Sequence, residues 1–315
     1  MRVLVTGAAG FIGSYLAREL LARGDEVVGV DSVTPYYDTA IKRANLARLV
    51  SPAFRFVEID LVTVTADQLA GFEVDAIVHL AGQPGVRGSW GSQFDSYTHA
   101  NVEATQRLLE AVKGLERRPR FVYASSSSIY GQAESYPTDE RALPQPFSPY
   151  GVTKLAGEHL VNLYRANFDL DTVAFRFFTV YGPGQRPDMA FTRFLRAADE
   201  GGPITIYGDG EQIRDFTFVG DIVDALILAV NAEGPMPPVM NLSGGSSVSV
   251  NEVLETIREI TGRELDVTYL DAVLGDVFRT GGSNELARTA LGWEPRRSLR
   301  EGLTEQWQWV SGGAR

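Results

Sequence analysis

The sequence contains no cysteine, only three histidines and no long apolar run. Without cysteine the chain has no thiol nucleophile, no disulfide and no thiolate ligand for a metal. His79, His99 and His159 are scattered rather than clustered, so we interpret each as structural and expect no metal site. No apolar run approaches the roughly 18 residues that a membrane-spanning helix requires.

Positive charge is also scarce, with 29 lysines and arginines against 40 acidic residues and a net charge of −11. This balance argues against nucleic acid or an anionic membrane as a partner, because both bind basic surfaces. An anionic substrate would need a few local arginines. The opening "MRVLVTGAAGFIG" is typical of strand, turn and helix rather than of a signal peptide, so the expected location is cytoplasmic.

Short apolar runs alternate with amphipathic stretches through the first half of the chain. The strand-like runs are rich in Val, Ile and Phe and lie at 2–7, 26–31, 54–60, 75–82, 120–125 and 171–177. Amphipathic stretches such as "FIGSYLARELLARG" and "NVEATQRLLEAVKG" lie between them. Buried strands that alternate with helices predict an α/β fold, with a doubly wound parallel sheet covered on both faces.

Beyond residue 177 the pattern loosens, and Pro and Gly cluster in "YGPGQRPD" and "EGGPITIYGDGEQ". A helix at 221–231 and a strand at 238–244 are expected to rejoin the main sheet. We therefore predict a main domain and a smaller mixed α/β C-terminal substrate lobe. The main domain takes 1–177 and about 216–243, and the lobe takes about 178–215 and 244–315.

The first predicted strand leads into a glycine-rich turn and then a helix. Such glycines allow a tight turn and close approach to a pyrophosphate, and the helix N-terminus offers free N–H groups to phosphate. Asp31 ends the second strand 18 residues after Gly13, where an acid binds an adenosine ribose and repels a 2′-phosphate. We predict a Rossmann sheet that binds NAD rather than NADP through Gly7, Gly10, Phe11, Ile12, Gly13, Asp31 and Ser32.

Further cofactor contacts are expected at the carboxyl ends of the third and fourth strands, where ligands of such sheets bind. The predicted residues are Asp60, Leu61, Leu80, Ala81, Gln83 and Asn101. Asp60 could equally cap a helix or a turn.

Tyr150 and Lys154 open the amphipathic stretch "YGVTKLAGEHLVNLYRANF" and, four residues apart, share one helix face. A phenol has a pKa near 10, and a nearby ammonium together with a positive nicotinamide ring would lower it toward the neutral range. The pair alone is weak evidence, but it follows a serine run, "ASSSSIYG" (124–131), and a dinucleotide-binding pattern.

Together the glycine pattern, the serine run and Tyr-x-x-x-Lys resemble the extended short-chain dehydrogenase/reductases. More specifically, the whole chain resembles the nucleotide-sugar epimerases and dehydratases of that superfamily. The resemblance implies that Ser126 joins Tyr150 and Lys154 in catalysis, and that the last two also contact NAD. It also implies a homodimer paired through helices near 94–113 and 149–168.

Two features separate the reactions of this family. Dehydratases carry Asp-Glu directly after the catalytic hydroxyl, and UDP-glucuronate decarboxylases tend to carry Glu at the second position. Here Ser127 and Ser128 stand there, and hydroxyls donate hydrogen bonds but are not strong acids. The stretch "RFFTVYGPGQRPDMA" (176–190) also resembles the UDP-glucuronate 4-epimerases, whereas UDP-glucose 4-epimerases usually have Asn in place of Thr179.

The resemblance implies a UDP-sugar substrate and a set of residues that bind it. A C6 carboxylate would be held by Ser127, Ser128, Thr179 and Arg186, and the diphosphate and ribose by Arg214, Asp276 and Arg279. The remaining predicted substrate contacts are Arg87, Ser126 and Met189. Gly82 and Gly88 replace a more usual Ala and Tyr, which predicts a roomier pocket near the nicotinamide.

The sequence therefore predicts an NAD-dependent 4-epimerase that interconverts UDP-glucuronate and UDP-galacturonate through a transient 4-keto intermediate. The main alternative is a UDP-glucose or UDP-N-acetylhexosamine 4-epimerase. A UDP-glucuronate decarboxylase is disfavoured by the missing Glu, and a catalytically inactive NAD-binding regulator by the intact trio.

Overall fold

The computed structural model describes residues 1–273 and 275–313. Within them the strands are β1 (Arg2–Thr6), β2 (Glu26–Asp31), β3 (Phe54–Glu58), β4 (Ala76–His79), β5 (Arg120–Ser126), β6 (Thr172–Phe177), β7 (Thr179–Tyr181), β8 (Pro203–Tyr207), β9 (Ile213–Arg214), β10 (Phe216–Phe218), β11 (Val239–Leu242), β12 (Val248–Ser249) and β13 (Asp266–Leu270). The helices are α1 (Phe11–Ala22), α2 (Thr39–Ala47), α3 (Ala66–Ala70), α4 (Phe94–Thr98), α5 (Ala104–Lys113), α6 (Pro149–Phe168), α7 (Ala190–Glu200), α8 (Val219–Asn231), α9 (Val250–Thr261), α10 (Glu285–Leu291) and α11 (Leu299–Ser311).

Seven parallel strands form the central sheet in the order β3-β2-β1-β4-β5-β6-β11. The strand order reverses between β1 and β4, which is where ligands bind in doubly wound sheets. The predicted parallel Rossmann sheet is confirmed, and the late strand near 238–244 does rejoin it as β11.

Both faces of the sheet are buried, as expected when helices cover a parallel sheet on each side. On β1, Val3 and Val5 pack into one hydrophobic cluster, whereas Leu4 between them packs into the other. The alternation follows from the two-residue period of a strand. Helices α1 and α8 pack together on the first side, and α5 and α6 on the second.

Three smaller strand pairs stand beside this sheet. Strand β10 pairs with β7 and β13 pairs with β8, both in parallel, whereas β12 pairs with β9 in antiparallel fashion. No helix among the described residues is both long and apolar enough to cross a membrane.

Some strands end earlier than their apolar runs predict. Strand β4 ends at His79 rather than at residue 82, because the N–H groups of Leu80 and Ala81 turn toward the Thr6 hydroxyl, at 3.1 Å each. The chain therefore leaves the sheet at the edge where ligands bind.

The start of α6 is set by local sequence. The Ser148 hydroxyl accepts a hydrogen bond from the Gly151 N–H at 3.1 Å, and Pro149 occupies the first turn, where its missing N–H costs nothing. Tyr150 is thereby placed in the first turn of α6.

Candidate active site

The glycine turn after β1 has no room for side chains. Gly7 has φ +71°, and a Cβ there would lie 2.9 Å from the backbone nitrogen of Ala81. A Cβ at Gly13 would overlap the carbonyl oxygen of Gly7. Helix α1 begins at Phe11. Gly10, the N-cap residue before it, makes no side-chain hydrogen bond to the first turn. The first-turn N–H groups therefore face a backbone cradle suited to a pyrophosphate.

Asp31 lies beside this cradle at the end of β2. Its carboxylate accepts hydrogen bonds from the N–H of Ala9 at 3.2 Å and of Val33 at 2.7 Å, and the Lys42 ammonium lies 3.8 Å away. Two carboxylate oxygens offer about four lone-pair sites, so further acceptor capacity remains for ribose hydroxyls. Ser32, the next residue, is exposed.

Thr6 and His79 support the opposite side of the cradle. The Thr6 oxygen accepts the N–H groups of Leu80 and Ala81, so its own proton is donated to His79 Nδ1, 2.8 Å away. His79 Nε2 lies 3.0 Å from the Thr105 hydroxyl. These contacts fix the backbone that the sequence predicts to line the cofactor.

Asn101 lies in a π-helical stretch, His99–Glu103, and ties this region to α6. Its Oδ1 accepts the Gln83 N–H at 2.8 Å, and its Nδ2 donates to the Gln83 carbonyl and the Thr153 hydroxyl, both at 3.0 Å. Asn101 therefore positions Gln83, and both predicted residues come together here.

The prediction that Gly82 and Gly88 leave a roomier pocket is wrong. A Cβ at Gly82 would lie 2.7 Å from Asn101 Oδ1, and one at Gly88 would lie 3.0 Å from the Tyr97 hydroxyl. The carboxamide and the phenol already occupy the space that a methyl group would need.

Asp60 is engaged as a cap. One carboxylate oxygen accepts the Val62 N–H at 3.2 Å at the start of a short 3-10 turn, Leu61–Thr63, and the other lies 2.9 Å from His99 Nε2. Asp60 therefore does cap this turn, in which Leu61 is buried, and the contact of these two residues with the cofactor stays a prediction.

Ser126, Tyr150 and Lys154 come together where β5 ends and α6 begins. The Ser126 hydroxyl accepts the Ser128 N–H at 3.1 Å and lies near the Tyr150 phenol, where it acts to lower the pKa of that phenol. Lys154 is buried, with its ammonium 4.7 Å from the centre of the Tyr123 ring. The three predicted catalytic side chains therefore meet at the ligand-binding edge of the sheet.

Burial affects the protonation of two members of this trio. It raises the pKa of Tyr150, although the Ser126 hydroxyl and the positive charge of Arg186 oppose that rise. For the chain's own groups, removal of the phenolate from water outweighs these two effects. The predicted lowering includes a bound nicotinamide ring and stays a prediction. Burial lowers the pKa of Lys154 to about 8, and the negative charge of Glu158 opposes this change.

Arg186 reaches the Tyr150 end of the site but already has a partner. Its Nε and Nη2 donate to the two carboxylate oxygens of Asp188 at 3.0 and 2.9 Å, and its guanidinium lies 5.9 Å from the Tyr36 ring centre. Met189 follows directly and precedes the first residue of α7. The predicted carboxylate-binding arginine is thus held in a two-bond ion pair.

The other predicted carboxylate contacts lie on two different elements. Ser127 and Ser128 are half-buried in the short turn that follows Ser126, and Thr179 is half-buried at the start of β7, opposite Phe216 of β10. Hydroxyls therefore follow Ser126, the predicted catalytic serine, at the two positions where the dehydratases that the sequence resembles carry acids.

The structure pairs two residues that the resemblance assigns to different parts of the nucleotide. Arg214 Nη2 is hydrogen-bonded to a carboxylate oxygen of Asp276, and its Nη1 donates to the Phe278 carbonyl at 3.1 Å. The two side chains therefore form one unit between β9 and the chain near 276–278.

Arg279 and Arg87 each stack on an aromatic ring. Arg279 lies 4.7 Å from the Tyr136 ring centre, and its buried Nε has no hydrogen-bond partner among the described residues. Arg87 lies exposed, 4.3 Å from the Tyr207 ring centre at the end of β8. An unpartnered, buried cationic donor is a feature of sites that bind anions.

Several residues of the site have no assignment in the sequence. The positions of Thr6 and Glu158 relative to the motifs could have pointed to them. Thr6 directly precedes Gly7, and Glu158 follows Lys154 by one helical turn. Asn45 donates to the Ala9 carbonyl at 3.1 Å and so holds the glycine turn, yet no motif marks it.

Comparisons with known proteins show which proteins the fold and the sequence are similar to. The fold is similar to the crystal structure of UDP-glucuronic acid 4-epimerase from Bacillus cereus in complex with UDP-glucuronic acid and NAD, with a TM-score of 0.95, 38% identity and 99% of both chains covered. It is also similar to MoeE5 in complex with UDP-glucuronic acid and NAD, with a TM-score of 0.88, 45% identity, and 98% of this chain and 99% of that one covered. MoeE5 has likewise been solved in complex with UDP-glucose and NAD.

Among sequences, the chain is 41% identical over 313 residues to the uncharacterized UDP-glucose epimerase YtcB of Bacillus subtilis (strain 168), covering 99% of this chain and 98% of that protein. Residues 3–243 match the NAD dependent epimerase/dehydratase family. The chain belongs to that family of NAD-dependent, short-chain dehydrogenase/reductase-like enzymes.

Proposed function

We propose that the protein is an NAD-dependent 4-epimerase that interconverts UDP-glucuronate and UDP-galacturonate through a transient 4-keto sugar. The observation that carries the proposal is the meeting of Ser126, Tyr150 and Lys154 beside the glycine cradle, followed by hydroxyls at Ser127 and Ser128 rather than acids. The similarity to an epimerase solved with UDP-glucuronic acid and NAD supports it.

The residues present fit NAD. A Cβ at Gly7 or Gly13 would collide with the backbone that forms the cradle, and Asp31 beside it retains free acceptor sites. When bound, NAD supplies a hydride acceptor for sugar C4 that returns the hydride and regenerates the cofactor in each cycle. The chain's own part is to bind and orient NAD. The adenosine and pyrophosphate side of the cofactor is assigned to Gly10, Phe11, Ile12 and Ser32. The rest of the cofactor site is assigned to Asp60, Leu61, Leu80, Ala81, Gln83 and Asn101.

Tyr150 accepts the proton of the sugar 4-hydroxyl, and Ser126 holds the same oxygen by a hydrogen bond. The Lys154 ammonium stabilises the phenolate and binds the ribose next to the nicotinamide. Burial raises the pKa of the phenol. The positive charges around it therefore have to offset the cost of removing a phenolate from water.

A 4-keto uronate is a β-keto acid and loses CO2 readily, so its carboxylate has to be held out of alignment for C–C cleavage. Ser127, Ser128 and Thr179 supply hydroxyl donors, and Arg186 supplies charge. Charge-assisted hydrogen bonds of this kind are worth roughly 1.5–3 kcal/mol each.

The nucleotide is assigned to the remaining predicted residues. Arg214, Arg279 and Arg87 bind the diphosphate side, Asp276 the ribose, and Met189 the sugar. The division into a cofactor unit (1–177 with about 216–243) and a UDP-sugar lobe (about 178–215 with 244–315) is part of the same proposal.

We also propose a homodimer and a cytoplasmic location. The dimer would pair the helices near 94–113 and 149–168. On α6 the side chains of Val152, Leu163 and Phe168 are 50%, 52% and 40% exposed, so this helix offers apolar groups that a second copy could cover. Sedimentation and cell fractionation test these two points.

The first test is incubation of the purified protein with UDP-glucuronate and no added NAD, followed by NMR of the sugar anomeric protons. We expect UDP-galacturonate to appear without release of CO2, which also shows a resident cofactor. Conversion of UDP-glucose alone would instead support the alternative 4-epimerase, whose favouring observations are the YtcB match and the MoeE5 complex with UDP-glucose.

Substrate choice is tested at Arg186. Arg186→Ala is expected to weaken binding of UDP-glucuronate at least tenfold more than that of UDP-glucose, because a tenfold change corresponds to about 1.4 kcal/mol of lost charge-assisted bonding. Arg193→Ala, an exposed arginine on α7, is the matched control and should change neither. Equal losses for the two sugars at Arg186 would contradict the carboxylate assignment.

A further inference from the structure

A buried carboxylate lies on α6 beyond the proposed catalytic residues. Glu158 is 2% exposed and follows Tyr150 by eight residues and Lys154 by four, so the three share one helix face. None of the proton transfers described above uses it. A buried carboxylate is costly unless it is paired and hydrogen-bonded, so its partners show what it does there.

Its partners are on the two strands beneath the helix. Glu158 Oε2 accepts hydrogen bonds from the Ser125 hydroxyl at 2.6 Å and from Arg176 Nε at 3.0 Å, and Oε1 accepts from Arg176 Nη2 at 2.6 Å. Ser125 on β5 directly precedes Ser126, and Arg176 lies on β6. One carboxylate therefore joins α6 to both strands, next to the catalytic hydroxyl.

The rest of the network holds Arg176 in turn. Its Nη1 donates to the Tyr130 hydroxyl at 2.7 Å and to the Glu140 carbonyl at 3.1 Å, and the Tyr130 hydroxyl donates to Asn241 Oδ1 at 2.7 Å. Asn241 lies on β11. A buried network whose members are satisfied in this way rigidifies the elements that it connects.

We infer that Glu158 is a positioning residue for the 4-epimerase reaction: it fixes α6 against β5 so that Tyr150 and Lys154 face Ser126, and it sets the charge next to the Lys154 ammonium. The inference rests on the proposed function.

The charge argument depends on what surrounds the Lys154 ammonium. The titratable and charged groups there are Tyr150 and Glu158 on α6, Tyr123 on β5 and His79 on β4, and Arg176 on β6 is the ion-pair partner of Glu158. Burial raises the pKa of Tyr123 and lowers that of His79 to about 3, so both stay neutral. The negative charge in this set is therefore that of Glu158.

Removal of that charge leaves the Arg176 guanidinium without its carboxylate partner and the Lys154 ammonium without the negative charge that opposes the effect of burial. Burial already lowers the pKa of Lys154 to about 8. Without Glu158 the pKa falls further, and the ammonium loses its proton within the neutral range. The phenolate of Tyr150 then loses a stabilising charge. The pH range over which the enzyme is active should become narrower at both its acid and its alkaline limit. Without Glu158, Tyr150 ionises at higher pH than in the native protein and Lys154 deprotonates at lower pH.

The test uses the NAD-bound protein and measures kcat and KM for UDP-glucuronate against pH. Glu158→Gln is expected to lower kcat about tenfold near pH 8 and to move the alkaline limb down by about one pH unit, with KM nearly unchanged. Glu158→Asp keeps the charge and should retain the native alkaline limb. Arg165→Met is the matched control, because Arg165 ties the far end of α6 to the Met236 carbonyl at 2.7 Å and lies on the same helix. It should lower stability without a change in the pH profile.

A Glu158→Gln enzyme whose pH profile coincides with the native one would overturn the inference, however much its melting temperature falls. Should that variant not fold, Ser125→Ala keeps the ion pair and removes the link to β5. It is expected to lower kcat several-fold at constant KM, and a native kcat would overturn the inference.

A second readout needs no sugar. Titration of tyrosinate absorbance in the NAD-bound protein, with Tyr150→Phe to identify the signal, should show the Tyr150 midpoint moving to higher pH in Glu158→Gln. An unshifted midpoint counts against the inference. If the native protein does not turn over UDP-glucuronate, the proposed function fails, and this titration still decides the role of Glu158.

Discussion

The buried histidine behind the glycine cradle makes a quantitative prediction about pH and stability. The Thr6 oxygen accepts two backbone N–H groups, so its proton goes to His79 Nδ1. The Thr105 hydroxyl donates to the Asn101 carbonyl at 2.8 Å and therefore accepts from His79 Nε2. These partners assign the neutral tautomer with its proton on Nε2. A second proton on Nδ1 would face the donating hydroxyl of Thr6.

Burial lowers the pKa of His79 from 6.5 to about 3, and the positive charge of Lys154 adds to this effect. The folded value lies below the unfolded one, so the unfolded chain binds the extra proton between these two pH values. Stability is therefore fully present above about pH 6.5 and is lost as pH falls. Since one pKa unit corresponds to about 1.4 kcal/mol, the loss from this residue near pH 5 is about 2 kcal/mol.

The assay is urea unfolding of the protein at saturating NAD, near pH 7.5 and near pH 5, for three proteins. His79→Gln places a non-titrating carboxamide between the same two hydroxyls, and His159→Gln changes an exposed histidine of α6 as the matched control. The native protein and the His159 variant should each lose about 2 kcal/mol more than His79→Gln on going to the lower pH. Equal losses in all three would refute the assignment of a neutral, buried His79.

Three further predictions concern the cofactor, the base and a surface pair. Gly13→Ala places a methyl group on a carbonyl oxygen of the glycine turn and should lower NAD retention on the order of tenfold or more. Gly202→Ala is the control and should retain NAD, because a Cβ there would have its nearest neighbour 4.0 Å away. Cofactor content after gel filtration measures both variants. Tyr150→Phe should lose nearly all turnover while keeping NAD, and turnover above a few per cent would count against Tyr150 as the base. His99 has its pKa raised by a hydrogen bond to Asp60. The melting-temperature advantage of the native protein over His99→Gln should therefore be present below about pH 6.5 and vanish as pH rises; an advantage that grows with pH would contradict this.

Much of the fold is predictable because buried parallel strands are nearly continuous apolar runs. The runs at 2–7, 26–31 and 120–125 each correspond to a strand to within one residue at either end. The end of β4 differs from the end of its apolar run, because Leu80, the residue after the strand, donates its N–H to the Thr6 side chain, 74 residues away in sequence. Local pattern does not encode such a partner.

The position of the proposed catalytic residues Ser126, Tyr150 and Lys154 is predictable because each member belongs to a motif with fixed spacing. The two ion pairs of the site are not predictable from the sequence. Arg186 and Asp188 are two residues apart in a loop, where spacing does not set side-chain direction. Arg214 and Asp276 are 62 residues apart and meet only through the tertiary fold. The effect of burial on the pKa of Tyr150 is not predictable from the sequence either, because a motif does not show how deeply its residues are buried.

The late arrival of β11 has a consequence for biosynthesis. Strand β6 is buried along its whole length, and its outer edge is paired by β11, which emerges from the ribosome only after the intervening residues 178–238. Until then the nascent sheet carries an open, apolar edge of the kind that templates aggregation. A fragment ending at residue 177 would hold the complete glycine turn and the three proposed catalytic residues, yet it would expose that edge. The protein is therefore expected to depend on chaperone protection late in translation, and truncation between β6 and β11 should yield insoluble chain rather than a smaller cofactor-binding domain.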